Sequence, residues 1–154
     1  MATPYTVVRT TTIDAPAEHI RAFLRDFHEW TRWSPGEGLD PQMRRTYTGP
    51  DSGVGARYSW EGNRKAGKGE MTITGDTPDQ VDVDLRFDKP FPARNRIELV
   101  LTPTGPRSTV VEWRMHGELS GFMRAVSVVK SMDSLVGPDF ERGLARLKRL
   151  AESA

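Results

Sequence analysis

Clusters of turn-forming residues divide the central part of the chain into short segments. Five such clusters, rich in glycine, proline and aspartate, occur at residues 49–53, 62–67, 75–79, 88–92 and 103–107. Six segments of strand-like composition lie between and around them, at residues 42–48, 55–61, 68–74, 80–87, 95–102 and 108–116. Short strands joined by turns at such regular spacing are typical of an antiparallel meander, so the fold must contain a sheet of consecutive strands.

Two of these segments alternate aromatic and charged side chains. Residues 56–60 read Ala-Arg-Tyr-Ser-Trp, and residues 111–115 read Val-Glu-Trp-Arg-Met. Successive side chains in a strand point to opposite faces, so each segment has one apolar face and one ionic face. Extended to the other strands, the pattern puts nearly every strand charge on the outer face. The predicted inner side chains are Tyr58, Trp60, Met71, Ile73, Val81, Val83, Leu85, Phe87, Ile97, Leu99, Leu101, Val111, Trp113 and Met115.

The N-terminal part of the chain adds one strand and two helices to the prediction. Residues 5–13 are rich in β-branched side chains, which favour a strand. Pro16 suits a first helical turn, and the apolar side chains that follow recur at helical spacing, so a helix is predicted over residues 16–27. Trp30 and Trp33 are three residues apart, which fits a second short helix.

The C-terminal part predicts two helices separated by a break. Residues 121–133 carry apolar side chains at helical spacing, and Gly137-Pro138 should end this helix. A longer helix is predicted from about Asp139 to Glu152. Its apolar face must be buried, and a twisted seven-stranded sheet is wide enough to curl around one helix, which makes the fold class α+β. The residues of that face are Phe140, Leu144, Leu147 and Ala151.

A glycine lies inside this predicted C-terminal helix, at Gly143. Glycine in a helix interior costs about 0.5–1 kcal/mol relative to alanine. A close approach between helix and sheet, or room for a ligand, would explain its presence.

Composition restricts the functional classes that suit the chain. Its 154 residues suit one domain over residues 1–154. Basic and acidic side chains number 22 and 21, so the net charge of +1 predicts no nucleic-acid partner. The sequence has no cysteine and no run of about 18 apolar residues, which argues against disulfides and integral membrane association. Together with an N-terminus unlike a signal peptide, these features predict a cytoplasmic protein.

Motifs for familiar catalytic and metal chemistry are missing from the sequence. It contains no HExxH, CxxC, phosphate-binding loop or GxSxG. The histidines His19, His28 and His116 are scattered, whereas a metal site needs three or four convergent ligands. The sequence therefore predicts neither a metal site nor a cofactor. With the strand charges outside, two kinds of candidate for proton transfer are left, and neither is a specific signal. One is Tyr58, a weak proton donor, and the other is a set of residues that would reach a cavity mouth from loops, namely Glu37, Asp40, Arg45 and Asp88.

The few polar groups on the predicted inner face allow two interpretations. They are the Tyr58 hydroxyl and the indole N–H groups of Trp60 and Trp113, and Trp33 adds another from the helical side. In one interpretation the rings fill a core and each polar group finds one hydrogen-bond partner. In the other they line a cavity and orient a bound molecule. Ring size alone does not decide between them.

Six stretches of the chain together resemble a known family. They are IDAPAEHI at 13–20, WTRWSP at 30–35, GVGARYSWEGN at 53–63, GKGEMTIT at 67–74, VEWRMHG at 111–117 and GPDFERGLARLK at 137–148. In this order they resemble the START-like helix-grip (SRPBCC) superfamily, in its polyketide cyclase/dehydrase group. The resemblance implies a curved seven-stranded antiparallel sheet around a long C-terminal helix. It also implies two short helices after strand 1 and an apolar cavity between sheet and helix.

The resemblance further implies that a small hydrophobic molecule, aromatic or lipid-like, binds in that cavity. Phe122 and Met123 would then lie over its entrance. Two other functions stay open: an enzyme of the cyclase, dehydratase or aromatase type that uses Tyr58, and a protein-interaction module like a chaperone co-factor. The chain would be a monomer or a homodimer. The expected ligand-binding residues are Trp33, Tyr58, Trp60, Met71, Val83, Leu85, Leu99, Trp113, Met115, Phe122, Met123, Phe140 and Leu144.

Overall fold

The computed structural model of the protein describes residues 3–35, 40–89, 92–119 and 129–153. Within these ranges the chain forms seven strands and three helices. In chain order they are β1 Thr3–Ile13, α1 Ala17–Leu24, α2 Phe27–Trp30, β2 Arg44–Thr48, β3 Arg57–Glu61, β4 Lys68–Thr77, β5 Gln80–Lys89, β6 Ala93–Gly105, β7 Ser108–Leu119 and α3 Val129–Glu152. The predicted α+β class, the seven strands and the long C-terminal helix are confirmed.

All seven strands belong to one antiparallel sheet with the order β1-β7-β6-β5-β4-β3-β2. Strands β2 to β7 are neighbours both in sequence and in the sheet, as expected of a meander, and β1 pairs with β7 at the opposite edge. The curved sheet holds α3 against its inner face, where α3 packs along β1. Side chains from the sheet, α1, α2 and α3 form one core between these layers.

The predicted alternation of inner and outer side chains is confirmed along the strands. In β6, Ile97, Leu99 and Leu101 are buried, whereas Arg96, directly before them, is exposed. The other predicted inner residues are buried as well, with three exceptions that are half-buried. These exceptions are Trp60, Leu85 and Phe87.

The first helical region is divided differently from the prediction. In place of one helix over residues 16–27, α1 ends at Leu24 and α2 begins at Phe27, earlier than predicted. Asp26 causes the division because its extended backbone interrupts the helix. Its side chain accepts a hydrogen bond from the His28 N–H at 2.9 Å, which caps the new helix.

A bulge in β4 turns one carboxylate toward the inside of the sheet. The turn predicted at residues 75–79 is shorter, because β4 continues past a register shift between Ile73 and Gly75. The extra residue reverses the alternation of faces, so Asp76 pairs with the inward-facing Val81. The pattern of turn-forming residues assigned Asp76 to a turn, so it did not predict this inward-facing strand carboxylate.

Asp76 ties the first helix to the end of the sheet. Its carboxylate is only 7 % exposed and accepts hydrogen bonds from Arg21 Nε at 3.0 Å and Arg25 Nε at 2.9 Å. Arg25 also donates from Nη1 to Ser52 Oγ at 3.1 Å. This charged cluster closes one end of the inner face.

Helix α3 is continuous where the sequence predicted a break. It passes through Gly137-Pro138 without ending, because Arg9 on β1 holds residues on both sides of this point. The Arg9 guanidinium donates to Asp133 Oδ1 at 2.9 Å and to Glu141 Oε2 at 2.8 Å. A Cβ on residue 137 would collide with the guanidinium, so glycine provides the space that these ion pairs need.

The Arg9 ion pairs predict a pH-dependent contribution to stability. The hydrogen bond from Arg9 holds the pKa of Asp133 below its usual range. A carboxyl group with a lowered native pKa stabilises the fold above its unfolded pKa of about 4 and loses this effect as the pH falls through the native value. We expect Arg9→Gln to destabilise the protein at pH 7, and the difference from wild type to shrink progressively below pH 4.

Urea unfolding of both proteins between pH 7 and pH 3 measures this difference. Arg149→Gln, an exposed substitution on the same helix, is the control and should change stability little at any pH. A difference between wild type and Arg9→Gln that does not change with pH would contradict the role assigned to Asp133.

Gly143 is explained by a close approach between α3 and its neighbours. A Cβ on this residue would lie 2.9 Å from Pro35 Cδ and 3.1 Å from Trp113 Cζ3 on β7. Of the two explanations offered by the sequence, packing against the sheet is the one that the structure supports.

Candidate functional site

Side chains on the inner face of the sheet lie in rows that cross the strands. Directly paired residues of antiparallel strands point to the same face, so the pairing defines each row. In one row, which we call the aliphatic row, no member is more than 5 % exposed. It consists of Val7, Met115, Ile97, Val83 and Ile73. This row is a closely packed layer in the middle of the core.

The next row, on the side away from Asp76, has a different chemistry and is called the polar row. It consists of Tyr5, Gly117, Asn95, Leu85, Met71, Tyr58 and Tyr47. Leu85 is only half-buried, and so are Trp60 and Phe87 beyond this row. Burial thus decreases beyond the aliphatic row at these three residues, while Tyr5, Asn95, Met71 and Tyr58 in the polar row stay buried. The polar row, with Trp60 and Phe87, forms what we call the open end of the inner face.

Tyr5 and Asn95 meet across strand β7. This strand lies between β1 and β6, and its residue in the polar row is Gly117. Over this glycine the Tyr5 hydroxyl donates to Asn95 Oδ1 at 2.5 Å. A Cβ on residue 117 would collide with Asn95 Oδ1 and lie 2.6 Å from Tyr5 Oη. Glycine is therefore required for the two side chains to meet.

Burial determines what this pair can do chemically. Tyr5 is 7 % exposed and Asn95 is 8 % exposed. Burial raises the pKa of Tyr5, because the charged phenolate would lose its hydration. The phenol therefore stays protonated at neutral pH and acts as a hydrogen-bonding group rather than as a base. Within the described part of the chain, the Asn95 amide N–H groups have no acceptor, so they can donate to a ligand oxygen.

Aromatic rings line the other side of the open end. The Trp60 ring lies 6.1 Å from the Tyr58 ring and 5.5 Å from the Phe87 ring, measured between centroids. It reaches Phe87 over Gly69, where a Cβ would lie 2.5 Å from the Trp60 ring. Gly69 and Gly117 thus act alike, since each lets side chains of the flanking strands meet above it.

The indole N–H groups differ in how they are satisfied. Trp33 donates to the Phe23 carbonyl at 3.0 Å, and Trp60 donates to the Ala66 carbonyl at 2.8 Å. The indole N–H groups of Trp33 and Trp60 thus each have one hydrogen-bond partner, as the core-filling interpretation expects. Trp113 Nε1 is buried and has no hydrogen-bond partner in the described structure.

The predicted ligand-binding residues fall into three groups. Those at the open end are Tyr58, Trp60, Met71 and Leu85. Those in the packed core are Trp33, Val83, Leu99, Trp113, Met115, Phe140 and Leu144. Phe122 and Met123 lie outside the described residues. The contribution of each to binding stays a prediction.

Sequence reasoning missed Tyr5 and Asn95 as site residues. Both follow the same alternation as their buried neighbours, since Tyr5 is two residues before Val7 and Asn95 is two before Ile97. The alternation of faces along each strand would therefore have placed both side chains on the inner face. Their meeting depends on strand order, which alternation does not predict.

The larger of two described cavities is a groove of about 460 Å³ that borders the polar row. Residues on the outer face supply most of its walls, and the strand segments that carry Tyr5 and Asn95 also border it. Its arginines are accompanied by carboxylates, so it has no concentrated charge. The charged lining residues are Asp84, Arg86, Arg94, Arg96 and Glu118. The smaller cavity, of about 160 Å³, lies beside Tyr47 near α2.

Among the described residues, no group of three or more histidine, aspartate or glutamate side chains is placed to hold a metal ion. None of the helices in the described ranges is long and apolar enough to cross a membrane.

The sheet that surrounds α3, with two short helices after β1, defines a helix-grip protein. Residues 4–152 match the family described as polyketide cyclase / dehydrase and lipid transport, and the chain belongs to this family. A search of curated proteins finds no match to the sequence.

Solved structures with the same fold include proteins with different roles. Norcoclaurine synthase from Thalictrum flavum, in complex with dopamine and hydroxybenzaldehyde, is 14% identical with a TM-score of 0.66, over 97% of this chain and 87% of that one. A START superfamily protein from Mycobacterium smegmatis is 16% identical with a TM-score of 0.66, over 97% and 98%. The Aha1 dimer from Colwellia psychrerythraea is 16% identical with a TM-score of 0.64, over 96% of each chain. At these identities the likeness shows the fold alone.

Proposed function

We propose that the chain binds a small, mainly apolar ligand, aromatic or lipid-like, at the open end of the inner face. The observation that carries this proposal is the partial exposure of Trp60, Leu85 and Phe87, although all three lie on the inner face of the sheet. A ligand that covers them removes apolar surface from water, which is worth about 25 cal/mol per Å². The lipid transport in the family description agrees with such a ligand.

The open end suits binding better than catalysis. The polar row and the aliphatic row carry no carboxylate, histidine or lysine, which are the usual groups for proton transfer at neutral pH. A cyclase, dehydratase or aromatase reaction here would depend on neutral groups such as Tyr58 and the protonated Tyr5. These groups can position a substrate and hydrogen-bond to it, but they are poor bases.

Titration with N-phenyl-1-naphthylamine, a neutral apolar dye that fluoresces in apolar surroundings, tests the proposal. We expect wild type to bind the dye and Leu85→Glu to weaken binding by on the order of tenfold. The new carboxylate would have to give up its hydration beside the dye, which is costly. Melting curves of the variant check that it remains folded.

Val8→Glu is the matched control, because Val8 is 39 % exposed and lies on the outer face of β1. It introduces the same charge away from the open end and should leave dye binding unchanged. Equal weakening by both substitutions would count against the open end as the site. Failure of wild type to bind the dye would contradict the proposed function itself.

A further inference from the structure

We propose that the ligand carries a hydroxyl or carbonyl oxygen, which accepts a hydrogen bond from the Asn95 amide beside Tyr5. This inference rests on the proposed function and narrows the ligand class. The site would take an apolar skeleton, such as fused rings, with an oxygen at the end that enters between β1 and β6. It would discriminate against a hydrocarbon of the same shape.

An apolar pair of the same shape would fill the core equally well, so packing alone does not explain the Tyr5–Asn95 pair. The unpartnered Asn95 amide nitrogen is not one of the fully buried unpartnered atoms of the described residues, so a solvent molecule or a ligand can reach it. Gly117 has a cost of its own, since glycine weakens a strand interior. A ligand oxygen that uses the free amide donors would explain all three residues.

Thr109 shows how a buried polar side chain behaves when its role is structural. Together with Asn95, it is one of the buried polar residues in the described core. Its hydroxyl donates to the Ala15 carbonyl at 2.9 Å and so joins β7 to the chain before α1. Asn95 differs because its donors have no acceptor within the described structure.

The bond from Tyr5 also sets the orientation of the Asn95 amide. Because the phenol donates to Oδ1, the amide nitrogen is left for another partner. Asn95 stands in the polar row next to the half-buried Leu85, so a molecule on that apolar surface lies beside the amide. The Tyr5 oxygen can accept a hydrogen bond from the same ligand hydroxyl.

Displacement of N-phenyl-1-naphthylamine by 2-naphthol and by naphthalene tests this inference, because the two competitors differ by one hydroxyl. We expect wild type to prefer 2-naphthol by about three- to tenfold, the range that one net hydrogen bond supports. In Asn95→Leu this preference should disappear, while naphthalene binds as in wild type. Tyr5→Phe, which keeps the ring, should reduce the preference for 2-naphthol over naphthalene. This variant provides the test if Asn95→Leu folds poorly.

Thr109→Val is the matched control, because it removes a buried polar group outside the open end. It should lower the melting temperature and keep the preference for 2-naphthol. Equal affinity of wild type for the two competitors would overturn the inference and leave the proposed function standing, since both would still displace the dye. A preference that persists in both Asn95→Leu and Tyr5→Phe would overturn it as well. Absence of dye binding to wild type would overturn the proposed function and this inference with it.

Discussion

Trp113→Ala is expected to lower the free energy of unfolding by about 3–5 kcal/mol, the usual cost of removing a fully buried tryptophan. Trp113 is 3 % exposed, and its ring stacks on Phe140 with centroids 4.2 Å apart. Its opposite neighbour is Trp33, at 5.6 Å. The substitution therefore opens a cavity between the sheet, α2 and α3, which the surrounding rigid rings cannot fill.

Urea unfolding measures this loss of stability. Two further variants, compared with Trp113→Ala, show whether the loss comes from burial of the ring. Trp60→Ala should cost clearly less, because Trp60 is half-buried at the open end. Trp113→Phe should also cost less than the alanine variant, since it keeps an aromatic ring and removes the unpartnered N–H. If Trp113→Ala cost no more than Trp60→Ala, the assignment of Trp113 to the packed core would be wrong.

Asp76→Ala is expected to cost about 2–3 kcal/mol. Breaking a fully buried ion pair costs about 3–5 kcal/mol, but Arg21 and Arg25 keep some contact with water after Asp76 is removed, which reduces the penalty. Their side chains are 26 % and 35 % exposed, whereas Asp76 is 7 % exposed. The variant loses the link between α1 and the end of β4.

Asp84→Ala is the matched control, because Asp84 is exposed on the outer face of the neighbouring strand. Its effect should stay within about 0.5 kcal/mol. Chemical denaturation at pH 7 compares the two. Equal effects of the two substitutions would show that the Asp76 cluster does not hold α1 against the sheet.

Much of the fold follows from periodicity that is visible in the sequence. The antiparallel ladder of β6 and β7 keeps its register from Asn95 to Pro103, so the inner positions of Leu99 and Trp113 are predicted correctly. The division of the first helix at Asp26 has a local cause, but two other errors occur where a long-range contact changes the local pattern. The β4 bulge turns Asp76 inward to meet two arginines of a distant helix. Likewise, Arg9 on β1 holds α3 together across Gly137-Pro138, and local helix rules do not contain that contact.

The candidate site was predictable only in part. Alternation places Tyr58, Trp60 and Leu85 on the inner face, because the direction of each side chain follows from the pattern of its own strand alone. The Tyr5–Asn95 bond joins residues 90 positions apart and requires β7 to lie between their strands. Neither strand order nor the free amide donors can be read from the local pattern around either residue.

The most direct test of ligand binding at the open end is to locate a bound probe by NMR. With methyl-labelled protein and 2-naphthol, nuclear Overhauser effects should connect the probe to the Leu85 and Met71 methyl groups, and not to those of Leu99 in the packed core. This result would place the ligand on the polar row. Contacts confined to methyl groups of the outer face, such as those of Val8, would contradict the account.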